Sequence, residues 1–553
     1  MEMQWVYISI ATLLACYVFV NKFVRNFNGW YYHLKLRNKE YPLPPGDMGW
    51  PLIGNLLTFI KNFSSGQPDS FITNLILKYG RHGIYKTHLF GNPSIIVCEP
   101  EMCRRVLSDD VNFKLGYPKS IKELAKCRPM IDVSNSEHRH FRRLITAPIV
   151  GHKALEVYLE RLEDIVINSL EELSSMKHPI ELLKEMKKVS FKSIVHVFMG
   201  SSNENIIKNI GSSFSDIYNG MFSIPINAPG FTFHKALKSR KKIANIVQPV
   251  VDERRLMIKN GEHVGETKDL MDILLEIKDE NGRKLEDEDI SDLLIGLLFA
   301  GHESSATGLM WSLIYLTQHP HIMKKAKEEQ EAILRARPTF QKRLSLSEVK
   351  QMVYLYQVIN EVLRCTNIAF STFREATSDI NINGYLIPKG WRVLIWARAI
   401  HMDSVYYPNA EEFNPSRWDN YTAKAGTFLP FGGGSRLCPG GDLVKLETAI
   451  FLHYFLLNYR LERVNPECHV TSLPVSKPID NCLAKVIKLS LASLEVVVGE
   501  GCRAAGGRIC ALACLRGVVQ WGFLMQVVVD RLGSGGGVID GVLLLLWQLR
   551  WWI

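Results

Sequence analysis

Eleven cysteines occur in the 553 residues, yet no two form a Cys-x-x-Cys pair and no Cys/His spacing frames a zinc site. An odd count without a regular frame also argues against a disulfide scaffold. It suits a reducing compartment, with one cysteine left for chemistry. Basic residues are not interleaved with aromatics, and no nucleic-acid motif is present. The formal net charge of +10 therefore points to an anionic membrane surface or an acidic protein partner, and not to nucleic acid. Internal repeats are missing, as is the regular strand–helix alternation of a doubly wound sheet. Short basic clusters such as Arg240–Lys242 fall in helix-like stretches and read as solvated faces.

What the chain does have begins at its N-terminus. Trp5–Val20 carries no charge; only Glu2 precedes it, and Lys22, Arg25, Lys35, Arg37 and Lys39 follow. A cleaved signal normally carries its basic residues in front, so the run reads as a membrane anchor over residues 1–24. The basic flank leaves the rest of the chain cytosolic. Residues 25–48 form a basic connector ending in Tyr41-Pro42-Leu43-Pro44-Pro45-Gly46, where proline stiffens the backbone. The body, 49–492, opens with β-like runs at 83–87 and 94–97. A helical middle follows over roughly 134–365, and strands return near 380–382 and 391–395. This is a mainly α, α+β pattern with small sheets. Residues 493–553 change composition to Gly, Val, Leu, Trp and Cys, with no clean period. They read as an appendage, such as read-through into non-coding sequence, or as a second membrane-associated segment.

The segment PFGGGSRLCPGG, 430–441, poses the chemical question. It fits neither Gly-x4-Gly-Lys-Ser/Thr nor Gly-x-Gly-x-x-Gly. Its pattern is Phe431-x-x-Gly434-x-Arg436-x-Cys438-x-Gly440. The glycines let backbone bend around a flat cofactor, and Arg436 can pair with a carboxylate on it. Cys438 can supply a thiolate, Phe431 packs near the sulfur, and Gly440 opens a helix over 442–457. A lone buried cysteine is usually a small hydrophobe, but several positions match together here, so a haem thiolate is the reading.

On those residues the chain resembles the cytochromes P450, specifically the membrane-anchored plant microsomal kind, from Met1 to about Leu491. Three further segments carry the resemblance. Glu361-x-x-Arg364 lies on one helix face; in the family it locks with Arg417 of Phe413-Asn414-Pro415-Ser416-Arg417-Trp418, a structural role. Ala300-Gly301-His302-Glu303-Ser304-Ser305 interrupts an apolar helix over 293–316, where the family opens a dioxygen groove. The resemblance implies proton delivery by Glu303 and Ser304, the latter standing where threonine is usual. Arg374, and Arg142 in His138-Arg139-His140-Phe141-Arg142, would reach haem propionates; His138 stands where the family has tryptophan.

The resemblance implies haem b with Cys438 as axial ligand, O2 as co-substrate, and electrons from NADPH through a P450 reductase. It also implies a monomer in the endoplasmic reticulum membrane, in contact with lipid and with no nucleic acid. Pocket candidates are Met130, Ile131, Leu297, Ala300, Ala369, Phe370, Phe373 and Leu473. The stretches PLPPGDMGWPLIGN and NFKLGYPKSIKELA place the chain nearest plant terpenoid oxidases. A triterpene, beta-amyrin oxidised at carbon 11 to alcohol and then ketone, is the expected substrate. Ent-kaurenoic acid is the alternative, and an inactive or non-oxygenating paralogue a third reading. Two glycines, Gly433 and Gly441, stand where alanine is common in the relatives.

Overall fold

An uncharged run such as Trp5–Val20 can satisfy its backbone in an apolar medium only by bonding to itself. It does so inside one helix, Glu2–Lys35, in a computed structural model of the chain. The structure describes residues 2–489, apart from 127–136, 140, 141, 143, 144, 147, 148, 150, 201–203, 263–268, 277, 279–281, 283, 367, 420–423 and 474. The pocket candidates Met130 and Ile131 and the tail 493–553 lie outside the described residues. The N-terminal helix does not stop where its apolar run ends. Its last turns dock on the body: Asn28 donates to the Trp50 carbonyl at 2.6 Å, and Arg25 pairs with Asp47 at 3.1 Å. Tyr32 sets its ring edge-on against Trp391. None of its apolar window is buried, whereas 67% is for the other long apolar helix, Asp287–Gln318. The first is a candidate membrane span; the second is a core helix.

Asp287–Gln318 is apolar nearly all round, as a helix packed on every side must be. It begins with Asp287, Glu288 and Asp289, whose charges suit the positive end of the helix dipole. Helices Leu182–Met199, Val353–Thr366 and Gly441–Asn458 pack against it and share its core. The larger sheet runs in the order Ile84–Leu89, Asn92–Val97, Arg392–Ile395, Thr372–Ala376, Phe113–Leu115. Asn92–Val97 and Arg392–Ile395 are parallel, with Ser94 opposite Arg392. Parallel neighbours need a long crossover, and here it contains the whole helical middle. A second sheet, Ile180–Glu181, Leu483–Lys488 and Tyr459–Arg463, had no signal in the sequence reading.

An aromatic cluster fills the space between helix Leu56–Ser64 and the larger sheet. Phe59 stacks on Phe63 at 4.2 Å and meets Phe370 at 5.3 Å, while Phe71 stacks on Trp396. Phe370 and Phe373 are buried within this cluster.

Among the described residues, one buried carboxyl has no cation acting on it. Glu447, on Gly441–Asn458, is 2% exposed beside Ser193 and Ser190 of Leu182–Met199. Burial pushes it up to about 7, an effect the two serines partly offset. The unfolded carboxyl titrates near 4.5, so between these values the folded chain holds a proton that the unfolded chain releases. Stability therefore falls as pH rises through that window, by up to about 3 kcal/mol. Glu447→Gln removes the fall. Thermal midpoints of the two chains should diverge in favour of the variant between about pH 5 and about pH 8; a constant gap would contradict this.

Candidate functional site

Loop 430–441 is held by backbone. The Cys438 N–H donates to the Phe431 carbonyl at 3.0 Å, closing the loop on itself. Gly434 has φ +68°, and a Cβ there would lie 2.0 Å from the Leu107 carbonyl oxygen. Gly433 is different: its backbone is extended, and a Cβ would meet the Leu107 side chain at 3.3 Å and the Leu429 side chain at 3.8 Å. At Gly441 a Cβ would touch the Phe431 ring at 3.4 Å. Both positions thus have room for alanine after a small adjustment. Gly440 has no protein atom near its Cβ position, so no contact within the chain demands glycine there.

Among the described cysteines only Cys16, in the N-terminal helix, and Cys438 are exposed. The Cys438 side chain opens onto accessible space while protein surrounds it. Burial pushes its thiol up, and the Gly440 N–H and the nearby Arg142 guanidinium pull it back down. The net shift is upward, so this donor and this cation only reduce the cost of a thiolate at this position. Cys103, by contrast, is fully enclosed, and burial drives its thiol far up.

Three guanidinium groups gather beside this loop. Arg374 is 3% exposed; its Nη1 donates to the Phe373 carbonyl at 3.3 Å and its Nη2 is buried without a partner. Burial lowers Arg436 to about 10, with Arg374 adding like-charge repulsion and Asp110 opposing it. Burial also lowers Arg142. His138 is 2% exposed and pushed down to about 4, first by burial and then by Arg436 and Arg142. It is neutral, with Nδ1 unpartnered. Asp110, which accepts from the Ser435 hydroxyl at 2.6 Å, is the carboxylate acting on the group. Three cations against one carboxylate, with a buried donor unsatisfied, suit a ligand carrying two carboxylates. Haem is such a ligand, and Cys438 offers the sulfur its iron takes. Among the described residues no cluster of three or more His, Cys, Asp or Glu could hold a bare metal ion.

Behind the loop, Glu361 and Arg364 are fully buried. Arg364 is bidentate on Glu361 at 2.8 and 3.0 Å. Its remaining donors reach the carbonyls of His401 and Ala410 at 2.7 Å and of Glu412 at 3.1 Å. Arg417 Nε and Trp418 Nε1 complete the Glu361 carboxylate at 2.8 and 3.0 Å. The His401 ring then accepts the Leu429 N–H at 2.9 Å, which ties the network to the start of the cysteine loop.

On Asp287–Gln318 the sequence reading grouped Glu303 with Ser304, and the structure turns them to different faces. Glu303 is 7% exposed and its carboxylate is paired with Lys187 at 2.6 Å. The Ser304 hydroxyl donates to the Ala300 carbonyl at 2.7 Å. Leu297, Ala300 and Ser304 share one stripe that is less buried than the rest of the helix middle. Gly301 faces another helix: a Cβ there would lie 2.5 Å from Ile194, so glycine here admits a neighbouring side chain. Ala369 is exposed and Leu473 half-buried, whereas Phe370 and Phe373 belong to the aromatic cluster. Lys187 was absent from the sequence reading; nothing local marks a partner in a distant helix.

A thiol loop of this form, an arginine cluster and a buried Glu-x-x-Arg network on a mainly helical body define a haem-thiolate protein, and the family comparison agrees. The Cytochrome P450 family model matches residues 44–481, so the chain belongs to the cytochrome P450 family. It is a P450 oxidoreductase, and family membership implies haem iron, O2 and electrons that a reductase supplies from NADPH. It is 82% identical to the beta-amyrin 11-oxidase of Glycyrrhiza uralensis over 493 residues, 89% of this chain and 100% of that protein. Identity to ent-kaurenoic acid oxidase 2 of Arabidopsis thaliana is 48%, over 86% of this chain and 97% of that one. A retinoic-acid-bound cyanobacterial P450 structure matches with a TM-score of 0.73 and 26% identity, covering 81% of this chain and 100% of that one.

Two substitutions should part sharply. Gly433→Ala is expected to keep haem content and thermal midpoint near wild type. Gly434→Ala combines a left-handed backbone with a clash and should cost more than about 2 kcal/mol and lose haem. Equal behaviour of the two would overturn this account of the loop. Glu361→Leu strands the buried Arg364 and takes a partner from the half-buried Arg417, and should cost about 3–5 kcal/mol, read as a lowered unfolding midpoint.

Proposed function

We propose that this P450 oxidises beta-amyrin at carbon 11, first to the alcohol and then to the ketone. The observation that carries the substrate is the 82% identity extending over the whole length of the Glycyrrhiza uralensis relative. Ent-kaurenoic acid is less favoured: the kaurenoic oxidase relative stands at 48%, and a carboxylate substrate asks for a cation in the pocket. The described pocket candidates Leu297, Ala300, Ala369, Phe370, Phe373 and Leu473 are all apolar and suit a hydrocarbon skeleton. An inactive paralogue is disfavoured by the retained Cys438 and Glu303–Ser304.

When bound, the haem supplies dioxygen activation and takes the reductase's electrons. In this reading Cys438 ligates the iron, and Arg142, Arg374, Arg436 and His138 hold the two carboxylates. Ser304 spends its proton on the Ala300 carbonyl and so keeps lone pairs to accept a hydrogen bond. Glu303 is the acid–base group behind it; its carboxylate is tied to Lys187 at 2.6 Å, and that bridge must loosen before Glu303 can take up a proton and pass it on. The apolar helix Gln4–Lys35 supports a single-pass anchor in the endoplasmic reticulum, with residues 49–492 as the cytosolic catalytic domain. The tail 493–553 is read as an appendage, because 493 residues of this chain already account for the whole of that relative.

The test is product analysis. The full chain, co-expressed with a plant P450 reductase in yeast, is offered beta-amyrin and ent-kaurenoic acid separately. An 11-hydroxy or 11-oxo product from beta-amyrin alone is expected; turnover of kaurenoic acid instead would refute the substrate. Glu303→Gln should lower product formation by about 100-fold while the reduced carbon monoxide spectrum stays that of wild type.

A further inference from the structure

Where the N-terminal helix leaves its apolar run it meets the body in a cleft of about 160 Å³, lined on one side by Arg25 and Gly29 and on the other by Gly46, Asp47, Lys78 and Lys86. Three cations face one carboxylate. Asp47 is already committed: its Oδ1 accepts the Gly49 N–H at 2.8 Å, and its Oδ2 takes Arg25 at 3.1 Å and Lys78 at 3.7 Å. Lys86 is half-buried, and burial lowers its amine even with Asp47 near. A carboxylate shared three ways leaves net positive charge in a partly enclosed space. The space beside Gly29 is open, since a Cβ there would meet nothing within 4 Å, and Gly46 lets its backbone approach that of Lys86 so closely that a Cβ would fall 2.1 Å from the Lys86 carbonyl oxygen.

The height of the cleft says what could fill it. Arg25 lies five residues beyond Val20, about 7.5 Å along the helix at roughly 1.5 Å per residue. The headgroup layer outside a bilayer's hydrocarbon core is about 5–8 Å thick on each side. With Trp5–Val20 in hydrocarbon, Arg25, Lys78 and Lys86 stand at the level of lipid phosphates. We propose that this cleft binds the phosphate group of an anionic phospholipid, which bridges the anchor helix to the body and fixes the angle between them. Surface lysines and arginines attract anionic lipid in general; here the charges converge on an enclosed space between two parts of the chain.

The proposal rests on the anchor reading, which alkaline carbonate extraction of membranes tests by itself. The binding test needs no bilayer. The full-length haem-loaded chain, in neutral detergent, is titrated with fluorescent dioctanoyl phosphatidic acid and followed by anisotropy. Saturable binding is expected, displaced by unlabelled dioctanoyl phosphatidic acid. The double variant Arg25→Gln/Lys86→Gln should bind about tenfold or more weakly, the loss of one or two charge-assisted hydrogen bonds. Arg460→Gln, elsewhere on the surface, should bind as wild type. Lys78→Gln is a second variant if the double one melts early. Wild-type affinity in the cleft variants would overturn the proposal, as would equal displacement by dioctanoyl phosphatidylcholine. Equal displacement by inorganic phosphate would make this a free-phosphate site and overturn the lipid assignment.

Discussion

The Glu361 carboxylate, wholly withdrawn from water, is the group on which the rest depends. Ionic groups so deep are tolerable only when each lone pair and each N–H finds a partner. Here Arg364, Arg417, Trp418 and the Asn414 N–H all converge on it. The network is also a set of girders. It joins helix Val353–Thr366 to the segment 401–418, and through His401 to Leu429. Two residues further on, the Phe431 carbonyl receives the Cys438 N–H. The sulfur's position is thus inherited from a salt bridge that never touches it. This explains how a run of three glycines can present a reactive group in a fixed place: the stiffness resides at its ends.

A second constraint is charge. Arg142, Arg374 and Arg436 repel one another in a poorly solvated region, and Asp110 offsets only part of that cost. Among the described residues acting on Arg436, guanidinium groups outnumber carboxylates. A ligand with two carboxylates relieves that repulsion, so binding of the prosthetic group and stability of the fold are linked. Neutral His138 fits the same logic, since a fourth positive charge there would be expensive. The face proposed for the substrate has the opposite character. The stripe Leu297, Ala300, Ser304 carries one hydroxyl among apolar groups, and nothing charged among the described pocket candidates would orient a polar substrate.

Much of this was legible in the sequence because its signals are short-range. Glu361 and Arg364 are one helical turn apart; Phe431, Arg436 and Cys438 share a loop; Trp5–Val20 announces itself by composition. The strands at 380–382 and 392–395 fell within a residue of expectation, since β-branched runs bounded by turn residues declare themselves. What stayed hidden was partnership across the chain. Nothing around Glu303 says that Lys187 neutralises it, and nothing around Gly301 says that Ile194 fills its place. Phe370 and Phe373 read as pocket lining from their position before Arg374; their packing with Phe59 and Phe90 from far upstream had no local signal. The N-terminal helix running on to Lys35 was likewise invisible, because its polar last turns gain their order from Asp47, Trp50 and Trp391.

The reduced carbon monoxide difference spectrum of the full-length chain tests the central claim most directly, that this glycine-rich loop holds Cys438 as a ligating thiolate. The account predicts the band of a thiolate-ligated haem at full haem occupancy, from a chain with Gly433 and Gly441 unchanged. A spectrum dominated by the band of a neutral-thiol or non-thiolate haem, or a chain that takes up no haem, would contradict it.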